Sequence, residues 1–439
     1  MKLRNVFSSK QFVFGIAVIL HVSIVFALGH YHDPTLWENG IIAESLLHGK
    51  GFSKPLFHEP HRKDNGVFVE KLVNGKGSLP ASMNLYPTSN QAPGYPVLLF
   101  LTWKLLGEKP SAYLMISLIQ AILVSSIVFP IAWLTRKWFG QKPVVWVCWI
   151  SCLMPTYAWY VTRLHQPAIM ITFYPWLLAG WLGLVEANSW WRTVLLGLAT
   201  GLAGLFNPVL LGVFSLIGAI LLFKSLQQRK VANARMLLVA AALVLLVLTP
   251  WTVRNYKVHG QLILIKNCFG KELWIGNNPK SSIVDCFIIG PENIPSEWME
   301  LNEMQLMKVM KHEAIDYIRS DPLPFAERTL KRIFWFWTTP AKGYLFNSEQ
   351  SGRLRWDWLR NSYWFGFLLL ASIVRIFDRK FPREYVMVLA VFFMIYSFTY
   401  GLTHVGLTRF RSEIEFIIFP AATQGLVIVL KIRKQFSSR

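Results

Sequence analysis

Two acids and three arginines carry most of the chemistry this sequence offers. Asp33 and Glu38 lie in the stretch YHDPTLWENGIIAESLLHGKGFS, Tyr31–Ser53. Arg254, Arg409 and Arg411 come far later, with Asn255 and Asn277 after the first and Glu415 after the last. A carboxylate can take a proton from a hydroxyl or an amine. Arginines can hold a phosphate by bidentate, charge-assisted bonds. Together they suit attack by an acceptor group and departure of a phosphate. Each also has a plainer role. The acids can cap and solubilise a helix. Arg254 and Asn255 can mark the interfacial stop of a span, and Arg409 and Arg411 can touch lipid headgroups. Glu415 can pair with Arg411 at i, i+4.

The elements that must place these groups are membrane helices. The 439-residue chain is 53% hydrophobic and 16% charged, with a mean hydropathy of +0.37. Nineteen Trp and 31 Phe suit aromatic belts at the membrane interfaces. The net charge of +21 sits in clusters at the ends of apolar runs, which speaks for orientation and anionic lipid rather than nucleic acid. Apolar runs occur at Phe12–Gly29, Ser111–Leu134, Pro143–Tyr160, Pro167–Val185, Thr193–Phe206, Pro208–Phe223, Met236–Val253, Tyr363–Phe377, Tyr385–His404 and Ile414–Leu430. The first lacks a small-residue cleavage site and reads as an uncleaved span. Pro93–Leu106 is short and broken by proline and glycine. If it lies in the interface, the basic clusters at Arg136/Lys137/Lys142, Lys224–Arg235, Arg379–Arg383 and Lys431–Arg439 share one side. The expectation is therefore an all-α polytopic protein with ten spans, both termini cytoplasmic and both long polar regions outside. Asn207-Pro208 is the split between the fifth and sixth spans.

The first polar region, 30–110, should open with a short helix. Asp33 suits its N-cap, Pro34 its first position, and Gly49 and Gly51 its stop. Leu36, Ile41, Ile42, Leu46 and Leu47 can share one face, leaving Glu38, Ser45 and His48 on the other, as in a helix lying on a membrane surface. The second polar region, 254–360, should hold extended pieces at Gln261–Lys266 and Glu272–Ile275, and a turn at Gly276-Asn277-Asn278-Pro279. A helix follows at Glu303–Arg319, then a basic and aromatic interfacial helix at Phe325–Trp337. The modules are 1–253, 254–360 and 361–439, with no separate soluble domain.

Several classes find little support. No GxxxxGK[ST] loop and no strand–GxGxxG–helix occur, so a nucleotide site is unsupported. HEPH at His58–His61 is not HExxH and lacks i, i+4 helical spacing, so no metal is assigned. His21 is the clearest mid-span ionisable group, read as a packing histidine before a transport residue. Cys148 and Cys152 read as core residues. Cys268 and Cys286 can form a disulfide if their loop is oxidised. At the membrane boundary, a lipid-linked phosphosugar needs both a base and a phosphate clamp.

Four stretches carry a resemblance: WENGIIAESLLHGKGFS (Trp37–Ser53), PTSNQAPGYPVLLFLTWKLLG (Pro87–Gly107), PWTVRNYKVHGQLILIKNCFGKELWIGNNP (Pro250–Pro279) and TRFRSEIEFIIFP (Thr408–Pro420), the last preceded by YIRSDPLPFAERTLKRIFWFW (Tyr317–Trp337). In their order and spacing the chain resembles bacterial membrane glycosyltransferases related to the lipid A aminoarabinose transferase and the protein O-mannosyltransferases, of the C-type glycosyltransferase fold. The resemblance implies transfer of a sugar from a polyprenyl-phosphate donor to an extracytoplasmic lipid, polymer or protein, at the inner membrane and without a cofactor. It gives the base role to Asp33 or Glu38. Such proteins often carry Glu-Lys before the Pro93-like segment, the lysine aiding the donor phosphate. Here the run is Asn90-Gln91-Ala92-Pro93-Gly94, which shifts that role to Arg254, Arg409 and Arg411. Tyr95, Asn255 and Asn277 are the expected substrate contacts.

Two other classes compete: a flippase for lipid-linked saccharide, which needs a polar path through the spans, and a non-catalytic scaffold, which needs neither acid. The topology has its own test. Alkaline phosphatase fused after residue 280 should be active, and a fluorescent protein fused to the C-terminus should fold in the cytoplasm.

Overall fold

The computed structural model describes residues 9–56, 84–187, 189–279, 281, 295–338, 351–377, 381–403 and 408–437. Helices dominate. In chain order they are α1 (Lys10–Leu28), α2 (Trp37–Leu47), α3 (Gly94–Leu106), α4 (Pro110–Ser125), α5 (Val128–Phe139), α6 (Val144–Leu153), α7 (Pro155–Val161), α8 (Pro167–Ala187), α9 (Trp190–Phe206), α10 (Val209–Gln227) and α11 (Val231–His259). Then come α12 (Phe269–Gly276), α13 (Glu303–Ser320), α14 (Pro322–Thr338), α15 (Ser351–Phe377), α16 (Arg383–Leu402), α17 (Thr408–Ser412) and α18 (Phe419–Ser437). Among the described residues the strands are two: β1 (Ser53–Lys54) pairs antiparallel with β2 (Tyr86–Pro87), Lys54 opposite Tyr86.

This is the architecture of a multi-pass membrane protein. Among the described residues seven helices are long and apolar enough to cross a bilayer, with α4 and α5 forming one of them. The pair α6 and α7, bent by 46°, makes an eighth if it is one broken span. Every expected span lies on a helix, but Trp190–Phe206 and the apolar part of α15 fall in a shorter class, as does α3. The expected break at Asn207-Pro208 is there: Asn207 ends α9 in extended geometry, and its Oδ1 accepts from Val209 N at 3.1 Å.

Three expectations change. The helix carrying Glu38 starts at Trp37 rather than beside Asp33. Trp37 has φ +53°, a left-handed turn that cuts Asp33–Leu36 off from the helix. That helix also does not float on one apolar face. Asn39 through Ser45 are all buried, because α2 is covered by α3 and by Leu99, Trp103, Tyr113 and Leu164. Glu272–Ile275 is helix rather than extended, and Gln261–Lys266 pairs with no strand among the described residues. Tertiary packing overrides local propensity there: Leu273, Trp274 and Ile275 form a small core with Trp298, Leu306, Met307 and Met310. Glycine makes the approach possible. A Cβ at Gly270 would lie 2.0 Å from Met307 O, and one at Gly276 1.3 Å from Thr403 O.

The two helices expected at the end of the second polar region are present as α13 and α14. α13 opens on a capping box between Asn302 and Gln305. α14 leaves Leu323, Leu330 and Phe334 exposed and buries Arg332 and Phe336 against the bundle. His21 is buried, with Nδ1 2.9 Å from Ser125 Oγ, as a packing histidine would be. Cys148 and Cys152 are buried and Cys268 is a free thiol; Cys286 lies outside the described residues, as does His58–His61.

Gly276→Ala tests the close approach. The variant should lose at least the ~1–3 kcal/mol typical of an overpacked core, read as a lower thermal midpoint of the detergent-solubilised protein. A control with open space around the added Cβ, Gly366→Ala, should melt like wild type.

Candidate functional site

The two polar regions meet at a hairpin. Arg254, near the end of α11, donates from Nη1 to Thr88 O at 2.8 Å and from Nη2 to Phe52 O at 3.0 Å. It also lies over the Trp251 ring at 5.0 Å. From the other side Glu303, the first residue of α13, accepts from Ser89 N at 2.8 Å, from Ser89 Oγ at 3.1 Å and from Thr88 Oγ1. Asn267 N donates to Ser89 O at 2.8 Å. A cation and an anion thus hold the chain just beyond β2, at Thr88 and Ser89.

Glu38 sits beneath this clasp. Lys54, which is 5% exposed on β1, places Nζ 3.2 Å from Glu38 Oε1. Gln91 Nε2 donates to Oε2 at 2.6 Å. Lys271 on α12 acts on the same carboxylate through space and pairs with Glu272 at 3.3 Å. Burial pushes the Glu38 carboxyl up, but Lys54 and Lys271 together outweigh it and hold the group well below the usual carboxylate range. Lys271 is held well above its ordinary value: burial opposes its charge, and Glu272 and Glu38 more than compensate.

The other expected residues are placed as follows. Asp33 is exposed in the turn before α2. Asn255 is buried and donates to Ile263 O and Ile265 O at 3.0 and 3.2 Å, anchoring the segment after α11. Asn277 donates to Leu402 O at 2.8 Å, tying α12 to the end of α16. Tyr95 is buried in α3, its hydroxyl donating to Gln120 at 3.1 Å. Arg411 is fully buried, with Nε 3.2 Å from Glu415 Oε1, Nη1 3.1 Å from Phe336 O and the guanidinium 4.8 Å from the Trp364 ring centre. The i, i+4 pair read from the sequence is therefore present, and Arg411 is no headgroup contact on the surface. Arg409 lies on α17, and its side chain falls outside the described residues. The structure thus gathers Glu38 and Arg254 around one hairpin.

Sequence reasoning missed Lys54, Gln91, Lys271 and Glu303. Gln91 stands one residue from the Ala92 position where a Glu-Lys pair was looked for, so that position was the available signal. It also missed Glu413, fully buried, whose Oε2 accepts from Asn207 Nδ2 at 2.8 Å and Tyr396 Oη at 3.3 Å. No group of three or more His, Cys, Asp or Glu suited to a metal occurs among the described residues.

The pair Lys54–Glu38 has a pH signature. A depressed carboxyl stabilises the fold fully above its unfolded value of about 4.3, and that contribution fades as pH falls below it. The gap in thermal midpoint between wild type and Lys54→Met should be widest near neutrality and narrow below about pH 4.3. A gap independent of pH would break the assignment.

No protein-family profile and no curated protein sequence matches the chain. Solved structures do. The archaeal oligosaccharyltransferase AglB from Archaeoglobus fulgidus, in complex with an inhibitory peptide and a dolichol-phosphate, aligns with a TM-score of 0.53 at 14% identity, over 98% of this chain and 51% of that one. The same enzyme tethered to an acceptor peptide aligns at 0.51 and 14%, over 97% and 50%. ArnT from Cupriavidus metallidurans bound to undecaprenyl phosphate aligns at 0.42 and 11%, over 94% and 77%. The chain spans about half the length of the oligosaccharyltransferase. At that distance the likeness is one of fold: the chain shares the fold of the half of the archaeal oligosaccharyltransferase over which it aligns.

Proposed function

We propose that this protein is a membrane glycosyltransferase that moves a sugar from a polyprenyl-phosphate donor to an acceptor on the extracytoplasmic face of the inner membrane. The observation that carries the reading is the Glu38 cluster: one carboxylate between two largely buried ammonium groups, where both polar regions converge. The shared fold supports it, and the archaeal enzyme was captured with a dolichol-phosphate.

In this reading the acceptor oxygen or nitrogen attacks the anomeric carbon. The bond from that carbon to the phosphate oxygen breaks, and its electron pair leaves with the polyprenyl phosphate. The acceptor proton goes to the Glu38 carboxylate. Lys54 and Lys271 meet the charge growing on the phosphate. They take the role first looked for in Arg254 and Arg411, whose guanidinium groups hold backbone carbonyls. Asp33, exposed before α2, orients the acceptor, and Arg409 stays a candidate for the phosphate. A cavity of about 310 Å³ between α10 and the segment after α11 is lined by Pro208, Leu211, Leu262, Ile263, Leu264 and Ile265, with Lys266 and Asn267 beside them. Its apolar walls and cationic end suit an isoprenoid tail below a phosphate.

The test is mass spectrometry of envelope glycolipids, polymers and proteins from a deletion strain complemented with wild type or Glu38→Gln. Wild type should restore one sugar on one acceptor. Glu38→Gln should transfer it about 10²–10⁴-fold more slowly while the lipid-linked donor accumulates. Full complementation by Glu38→Gln would overturn the assignment. Movement of intact donor across liposomes without bond cleavage would mean a flippase instead.

A further inference from the structure

The resting geometry of Glu38 raises a chemical difficulty. Lys54 Nζ occupies one oxygen at 3.2 Å and Gln91 Nε2 the other at 2.6 Å. A carboxylate held by two cations binds protons poorly and makes a weak base. The charged groups facing it are Lys54 from β1 and Lys271 from α12, with Glu272 of α12 partnering Lys271; Gln91, from the segment before α3, is neutral. Two ammonium groups and two carboxylates balance, so the resting cluster is neutral overall.

A phosphate entering this cluster changes the balance. It brings negative charge and several strong acceptor oxygens to the two ammonium groups. Each contact it makes with Lys54 or Lys271 weakens their attraction for Glu38. Burial, the opposing influence on Glu38, stays in place. The carboxylate is then left in a partly desolvated site with less compensation, beside the Gln91 amide.

We infer that the donor phosphate switches Glu38 on: it draws Lys54 and Lys271 from the carboxylate, and Glu38 becomes a proton acceptor only while donor is bound. The inference rests on the transferase reading above. It gives the lysines two linked tasks, holding the leaving group and silencing the base until that group is present. An enzyme built this way does not activate an acceptor or water in the absence of donor. Gln91 stays on Glu38 throughout and keeps the carboxylate aimed, and the Arg254–Glu303 clasp keeps Gln91 in place.

The experiment is infrared difference spectroscopy of the full purified chain in lipid nanodiscs, before and after adding undecaprenyl phosphate. It is run at about pH 5.5, just above the ordinary glutamate value of about 4.3. Binding is followed separately by tryptophan fluorescence. The expected result is a new protonated-carboxyl band that saturates with binding and is absent in Glu38→Gln. In Lys54→Met part of that band should exist before the lipid is added. If Glu38→Gln does not fold, Glu38→Asp serves: the band must then shift, and a band that stays put belongs to another group and overturns the inference. Saturable binding with no new band also overturns the switch while leaving the transferase reading intact. No saturable binding at all overturns the transferase reading, and the switch with it.

Discussion

A clasp between distant segments governs the site. Arg254 and Glu303 both grip the segment just after β2, Arg254 through Thr88 O and Glu303 through the Ser89 amide and the Thr88 and Ser89 hydroxyls. Neither partner lies near that segment in sequence. The same segment carries Gln91 to Glu38, and β2 just before it pairs with the β1 residues that bring Lys54. A two-residue ladder has no stability of its own. It persists because a cation from α11 and an anion from α13 satisfy the backbone groups that flank it, at Phe52, Thr88 and Ser89.

Buried charge repeats this logic deeper in the bundle. Arg411 and Glu415 pair inside the protein, and Arg411 also closes on Phe336 O of α14. Arg332, from the same helix, donates to Gly276 O and lies 3.4 Å from Thr403 O and from Asn277 Oδ1. These contacts fasten α14 to the ends of α12 and α16. A buried ion pair adds little net stability, but losing one partner is costly. The arginines therefore specify how α12 and α14 seat on the other helices more than how firmly they do so. At the opposite end Lys137 of α5 contacts Glu186 of α8 and lies 3.4 Å from Glu384 of α16, a similar fastening from one of the basic clusters.

The Glu38 cluster differs from these structural pairs in one respect. Glu38 keeps 27% of its side chain exposed, whereas Arg411 and Glu415 keep none. A charged group that is paired yet reachable can exchange its partner for a ligand. A sealed pair cannot. That contrast separates the sealed arginine pair of the bundle from the paired but reachable Glu38.

Hydropathy alone determined that this is a multi-pass helical protein, because a run of apolar residues has few stable alternatives in a bilayer. Local sequence also located most of the helices, the Asn207-Pro208 break and the Arg411–Glu415 pair, all of which depend on neighbours in sequence. Glu38 was legible as a candidate for the same local reason. Only the tertiary structure decided which cations meet it. Lys54 and Lys271 reach one carboxylate from segments more than two hundred residues apart, through a hairpin and a short helix that local propensity does not specify. It also decided that α2 is buried from Asn39 to Ser45 and that Glu272–Ile275 coils into a helix, since both follow from what packs against them. Side-chain type shows what a residue can do; its partners, which come from distant chain segments, fix what it does.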